Sequence, residues 1–86
     1  IIAKTSYQVR IEGHTDNLPI KTEKFPSNWE LSTTRAVNVL RYFRKAHNIP
    51  ANRLSAAGFA EYRPLAPNDS ADQRAQNRRV EIIFVK

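Results

Sequence analysis

The chain has no cysteine, which excludes disulfides and thiolate metal sites but fits a periplasmic home as well as a cytosolic one. No stretch approaches the roughly 20 consecutive apolar residues that a membrane span needs. No secretory signal pattern opens the sequence. Basic residues never gather into the contiguous run of about 5–8 that marks a nucleic-acid patch. The nearest clusters are Arg41, Arg44 and Lys45, and then Arg78 with Arg79. There is no G-x-S-x-G, no H-E-x-x-H, no internal repeat and no low-complexity tract. The chain opens on Ile1-Ile2 rather than methionine, so the expectation is a piece of a longer protein.

What is present fits one small domain over residues 1–86. A chain of this size buries roughly 60–65% of its unfolded surface, so its core is modest. The 41% hydrophobic and 26% charged shares are those of a globular domain. The net charge of +6 favours anionic partners such as nucleic acid, phospholipid heads or an acidic polymer, or else serves solubility alone.

Residues 7–13, "YQVRIEG", alternate: Tyr7, Val9 and Ile11 on one face, Gln8, Arg10 and Glu12 on the other. That is a strand with one buried face. "HTDNLP" ends it with the turn formers Asp16, Asn17 and Pro19. A polar connection through Pro26 leads to "SNWELSTTRAVNVLRYFRKAH", in which Ser27 and Glu30 fit a capping box. Trp29, Ala36, Val39, Leu40, Phe43 and Ala46 follow helical spacing. The pattern predicts a helix of about 20 residues, closed by a left-handed Asn48 and by Pro50. "RLSAAGFA", residues 53–60, predicts a second strand, and Ser70 with Gln73 a second capping box opening a short helix to about Arg78. "RVEIIFV", residues 79–85, is apolar on both faces, which predicts a central strand. The fold class is therefore α/β: a small mixed sheet covered by helices, with a right-handed crossover between parallel strands.

Glu12, His14 and Asp16 stand within five positions. Glu12 and His14 share a strand face, whereas Asp16 lies in the turn, so no compact triad forms. A catalytic zinc usually takes three protein ligands, and the other histidine, His47, is at the far end of the helix. His14 reads as a polar strand-end residue hydrogen-bonded to backbone. Asp16 is different. Ligands of α/β folds sit beyond the carboxyl ends of strands, near the N-termini of the following helices. Asp16 just past the first strand and Arg35 early in the next helix can face one crevice. They can form a salt bridge, or they can hold the two ends of a zwitterion, carboxylate to ammonium and guanidinium to carboxylate. The residues alone leave both open. Arg78 and Arg79 fall on opposite faces of the last strand, so one of them at most points to that crevice, and both can be solvated.

"IEGHTDNLPI", "SNWELSTTRAVNVL", "RLSAAGFAEYRPLAPNDS" and "NRRVEI", in this order and spacing over nearly the whole chain, resemble the OmpA-like peptidoglycan-binding domain. Within it, "DNLPI", the long insert before the helix and "SNWELS" most resemble the periplasmic domain of flagellar motor stator B subunits, the MotB-like members. The resemblance implies a two-layer α+β sandwich and a non-catalytic module without cofactor. It implies binding to cell-wall peptidoglycan at the meso-diaminopimelate of the peptide stem. Asp16 of "HTD" would take the diaminopimelate ammonium and Arg35 of "LS-x-x-RA" its carboxylate, with Asn28 and Arg78 helping to hold the ligand. It also implies a homodimer, a stator A subunit reached through a membrane helix upstream, and no nucleic acid. Leu18 stands where many members have a small polar residue. The family fold begins with another strand and helix, which this chain lacks, residues 1–6 being the expected end of that helix. A basic α/β nucleic-acid-binding domain is the alternative; it would need exposed stacking aromatics, whereas Tyr7, Trp29 and Phe43 fall on predicted core faces.

Overall fold

The computed structural model describes residues 7–85, so the expected helix end at residues 1–6 lies outside it. Strand β1, Gln8–His14, carries the alternation read from the sequence only in its first half: Val9 and Ile11 are fully buried and Gln8 and Arg10 exposed, but Glu12, expected on the open face, is buried, as are Gly13 and His14. Helix α1, Asn28–His47, has the predicted length. Ser27 caps it, its hydroxyl oxygen accepting the Trp29 N–H at 3.2 Å and its O–H donating to the Glu30 carboxylate. Asn48 closes it with φ 54°, satisfying the last turn in the left-handed conformation that asparagine tolerates.

A single turn of 3₁₀-helix at Ala51–Arg53 leads into β2, Leu54–Gly58. The short helix α2, Ala71–Asn77, is capped as predicted, the Gln73 N–H reaching Ser70 Oγ at 3.1 Å. Strand β3, Arg79–Val85, completes the described chain. The sheet order is β2-β1-β3, with β1 parallel to β2 across the α1 crossover and antiparallel to β3. The small mixed sheet with two helices is thus as expected, and α1 is the helix that packs across it.

Its centre is not. β1, rather than β3, is the central strand among the described residues. Cross-strand pairs point to one face, so Ile11↔Ile82 and Val9↔Phe84 put Ile82 and Phe84 on the α1 side of the sheet. But α1 lies chiefly over β1 and β2. Val80 reaches the core, while Ile82 and Phe84 remain 40% and 49% exposed beyond the helix. Among the described residues β3 is thus an edge strand despite its two apolar faces.

The core is Val9, Ile11 and Ala36, with Val39, Leu40, Phe43, Leu54, Ala56 and Val80 packed against it. Two residues of the predicted helix stripe do not join it: Trp29 and Ala46, at its two ends, are exposed. The helix is longer than the five-residue β2 it crosses, so its end turns overhang the sheet. Conversely Ile49, just past the helix, is buried.

The approach of α1 to the sheet is set by two adjacent glycines. Gly13 and Gly58 are register partners on β1 and β2. A Cβ on Gly13 would overlap the Ser32 carbonyl oxygen and lie 2.9 Å from its carbon. A Cβ on Gly58 would collide with the Thr33 hydroxyl and lie 2.6 Å from the Thr33 nitrogen. The helix backbone rests on the sheet here, at the carboxyl ends of the parallel strands, and fixes where the first turns of α1 stand.

Candidate functional site

Past Gly13 the end of β1 is tied to its neighbours by backbone. Phe59 N–H donates to Gly13 O at 3.0 Å, and Thr15 N–H to Ala60 O at 2.8 Å. Ala60 N–H donates in turn to the buried Ser32 hydroxyl of α1 at 3.0 Å. Ala60 has φ 53°, so the chain reverses sharply after β2. Thr15 and Asp16 are consequently buried although they belong to a turn.

Asp16 folds its carboxylate back on its own turn: Oδ1 accepts the Leu18 N–H at 3.0 Å. Oδ2 accepts from Arg78 Nη1 at 2.7 Å. The Asn28 side-chain amide donates to Leu18 O at 3.1 Å and to Asp16 O at 3.4 Å, which pins the turn to the first residue of α1. The turn that carries the buried carboxylate is thus tied to the N-terminus of α1. The structure brings three of the four expected residues together: Asp16, Asn28 and Arg78.

The fourth, Arg35, is seven residues beyond Asn28, two helical turns and roughly 10 Å along the axis on the same side. It is exposed and carries no hydrogen bond or ion pair among the described residues. The Cβ of a helical residue tilts toward the helix N-terminus, the end of α1 to which the Asp16 turn is tied. The Asp16–Arg35 salt bridge does not form; the guanidinium on Asp16 is that of Arg78.

Neither Arg78 nor Arg79 is simply solvated. Arg79 donates from Nε to Glu81 at 2.5 Å, from Nη1 to Asn77 O at 3.2 Å and from Nη2 to Arg63 O at 3.0 Å. Only Arg78 turns to the Asp16 crevice, as expected for side chains on opposite faces. Next to it in the chain is Asn77, which sequence reasoning passed over. Asn77 is fully buried and staples the 65–68 loop: Oδ1 accepts the N–H groups of Leu65 and Ala66 at 2.8 and 3.0 Å, and Nδ2 donates to Ala66 O and Asn68 Oδ1 at 2.9 and 2.8 Å. The asparagine before the arginine pair in "NRRVEI" was the available signal.

His14 is a correction. It does not hydrogen-bond backbone: neither ring nitrogen has a partner among the described residues, and the ring is buried, stacked on Phe59 at 5.3 Å between centroids. Burial, reinforced by the Arg79 charge, pushes its pKa below the ordinary 6.5. Trp29 is the other. It is 48% exposed and stacks on Tyr62, 65% exposed, at 5.3 Å. Its predicted core position therefore gives no argument against stacking ligands. The cluster of Arg41, Arg44 and Lys45 lines a depression at the other end of α1. At least twelve residues separate it from Trp29, roughly 18 Å of helix, so the aromatic pair and this basic cluster do not make one groove.

Residues 1–78 match the OmpA family over nearly the whole chain. The chain belongs to the OmpA family. Among curated relatives, this OmpA-family domain is 47% identical over 75 residues to Motility protein B of Bacillus subtilis, covering 87% of this chain and 29% of the relative. Among solved structures, it superposes on the cell wall anchor of the T6SS from Pseudomonas aeruginosa with TM-score 0.86 and 44% identity, covering 96% of this chain and 58% of the other. It superposes on the periplasmic domain of Helicobacter pylori MotB with TM-score 0.83 and 33% identity, covering 94% and 49%. The chain thus spans under a third of the curated relative's length. Among the described residues no helix is long and apolar enough to cross a membrane.

Proposed function

We propose that this OmpA-family domain is a non-catalytic peptidoglycan-binding module that grips the meso-diaminopimelate of the wall peptide stem. The observation that supports this most is the Asp16 carboxylate, buried at the end of β1 and held by Leu18 N–H, with an exposed, unpaired Arg35 on the same side of the adjoining helix. Diaminopimelate ends in an ammonium and a carboxylate on one carbon. The ammonium takes the remaining lone pairs of Asp16, and the Arg35 fork takes the carboxylate bidentately. Asn28 holds the turn in place. Arg78 spends one donor on Asp16, and the rest of its five N–H groups are available to the ligand. The larger setting we propose is a periplasmic domain that fixes a membrane motor stator to the wall, as a homodimer joined to a stator A subunit through a membrane segment; similarity to a motility protein and to a cell wall anchor supports the wall-anchoring part.

The test is pulldown of diaminopimelate-type peptidoglycan by the purified protein and by Asp16→Ala, Arg35→Ala and the double variant, with circular dichroism to confirm the fold. Each single change should abolish retention, and the double should be no worse, because losing one end already frees the ligand. Retention by folded Asp16→Ala or Arg35→Ala would remove that residue from the site.

A further inference from the structure

On the sheet face away from α1, Glu12 and Glu81 are directly opposite each other on β1 and β3. Like charges so placed repel. Beside them, two positions along β1, is His14. Its Nε2 lies 3.8 Å from Glu12 Oε1 and 3.7 Å from Glu81 Oε2. These separations are too long for hydrogen bonds. The three ligand atoms lie within 4.8 Å of one another. The His14 side chain is only 3% exposed, and both its nitrogens lack partners among the described residues. A buried polar group left unpaired is costly and calls for an explanation.

We propose that Glu12, His14 and Glu81 form a binding site for a divalent transition-metal cation of the zinc type, clipping β1 to β3 beneath the Asp16 turn. One imidazole and two carboxylates are a donor set that zinc accepts, with a fourth position left to water. Tetrahedral zinc with bonds of about 2.1 Å sets its ligands about 3.4 Å apart, so His14 Nε2 has to approach each carboxylate by only a few tenths of an ångström from 3.8 and 3.7 Å, while the widest of the three separations, within 4.8 Å, closes by a side-chain rotation of Glu81. Arg10 holds Glu12 by Oε2 at 2.7 Å, which leaves free the oxygen that faces His14. Arg79 competes for Glu81, but it also holds Asn77 O and Arg63 O and stays anchored when Glu81 turns to the ion. Phe59, stacked on His14 and covered by the Arg63 guanidinium at 4.1 Å, shields the imidazole side, while the half-exposed Glu81 is the entry path. The cation would fix the strand end from which Asp16 follows two residues later, independently of what Asp16 binds.

Isothermal titration of the chelator-stripped protein with zinc chloride, and with magnesium chloride for comparison, tests this. One zinc per chain should bind and magnesium should not. Glu81→Gln, at a half-exposed position, should weaken zinc at least tenfold with the fold kept. His47→Ala should leave binding unchanged, since His47 is the other imidazole in the chain. The cobalt-loaded protein should show the intense visible bands of a tetrahedral site, lost in Glu81→Gln. No zinc binding at millimolar concentration would overturn the site, as would binding that survives Glu81→Gln or disappears with His47→Ala.

Discussion

Gly13→Ala adds one methyl group at the closest approach of helix and sheet. Its Cβ would overlap the Ser32 carbonyl oxygen and sit 2.9 and 3.3 Å from the Ser32 carbonyl carbon and Cα. Comfortable carbon contacts are about 3.5–4.0 Å. All three obstacles are backbone, so no side-chain rotation relieves them. Either α1 lifts off the end of β1, or the end of β1 moves away. Overpacking of this kind costs about 1–3 kcal/mol, and we place Gly13→Ala at the upper end because the clash is with main chain. A domain of this size has about 4–13 kcal/mol to lose. Lifting α1 also loosens Ala60 from the Ser32 hydroxyl and Asn28 from the Asp16 turn, so wall binding should fall with stability. Urea unfolding followed by Trp29 fluorescence gives the midpoint. Gly58→Ala serves as companion: pairing it with Thr33→Ala should recover only part of the loss, because the Thr33 nitrogen still stands 2.6 Å from the added carbon. A Gly13→Ala midpoint equal to wild type would refute the claim that this contact positions the helix.

Asn77→Ala should cost about 2–4 kcal/mol, since two N–H groups and a carbonyl of the 65–68 loop lose their partner. Limited proteolysis should then cut first in that loop, and an unchanged digestion pattern would contradict the stapling role. Arg78→Ala should cost about 1–2 kcal/mol by freeing the buried Asp16 carboxylate from a half-exposed partner. Arg78→Lys should restore that stability while wall binding stays weak, because a lysine replaces the charge but not the fork; full binding by the lysine variant would reduce Arg78 to an ion-pair role.

β1 and α1 were legible in the sequence because their signals are local. Alternation fixed the Val9–Ile11 face, and Ser27, Asn48 and Pro50 bounded the helix. Strand order was not, because apolar residues on both faces of β3 say nothing about which strand pairs beside it or how far α1 reaches. Trp29 obeys the helical period but stands where the helix overhangs the sheet. In the site, Asp16 and Asn28 were readable as a turn residue and a first helical residue, and their meeting follows from the tight crossover. The Asp16–Arg78 pair joins positions 62 apart, a separation that no local pattern spans. The isolation of the His14 nitrogens is likewise set by Phe59 and β3, both distant in sequence.

The clamp is tested most directly by titrating the protein with two soluble wall peptide stems that differ only in the third residue, meso-diaminopimelate or lysine. The lysine stem keeps the ammonium for Asp16 and lacks the carboxylate for Arg35. Losing one partner of an interfacial charge pair costs about 2–5 kcal/mol, and Arg35, exposed in the free protein, belongs at the lower end. The account predicts that the lysine stem binds about 30-fold more weakly, and that Arg35→Ala binds both stems with the same low affinity. Equal affinity of the unaltered protein for the two stems would contradict it.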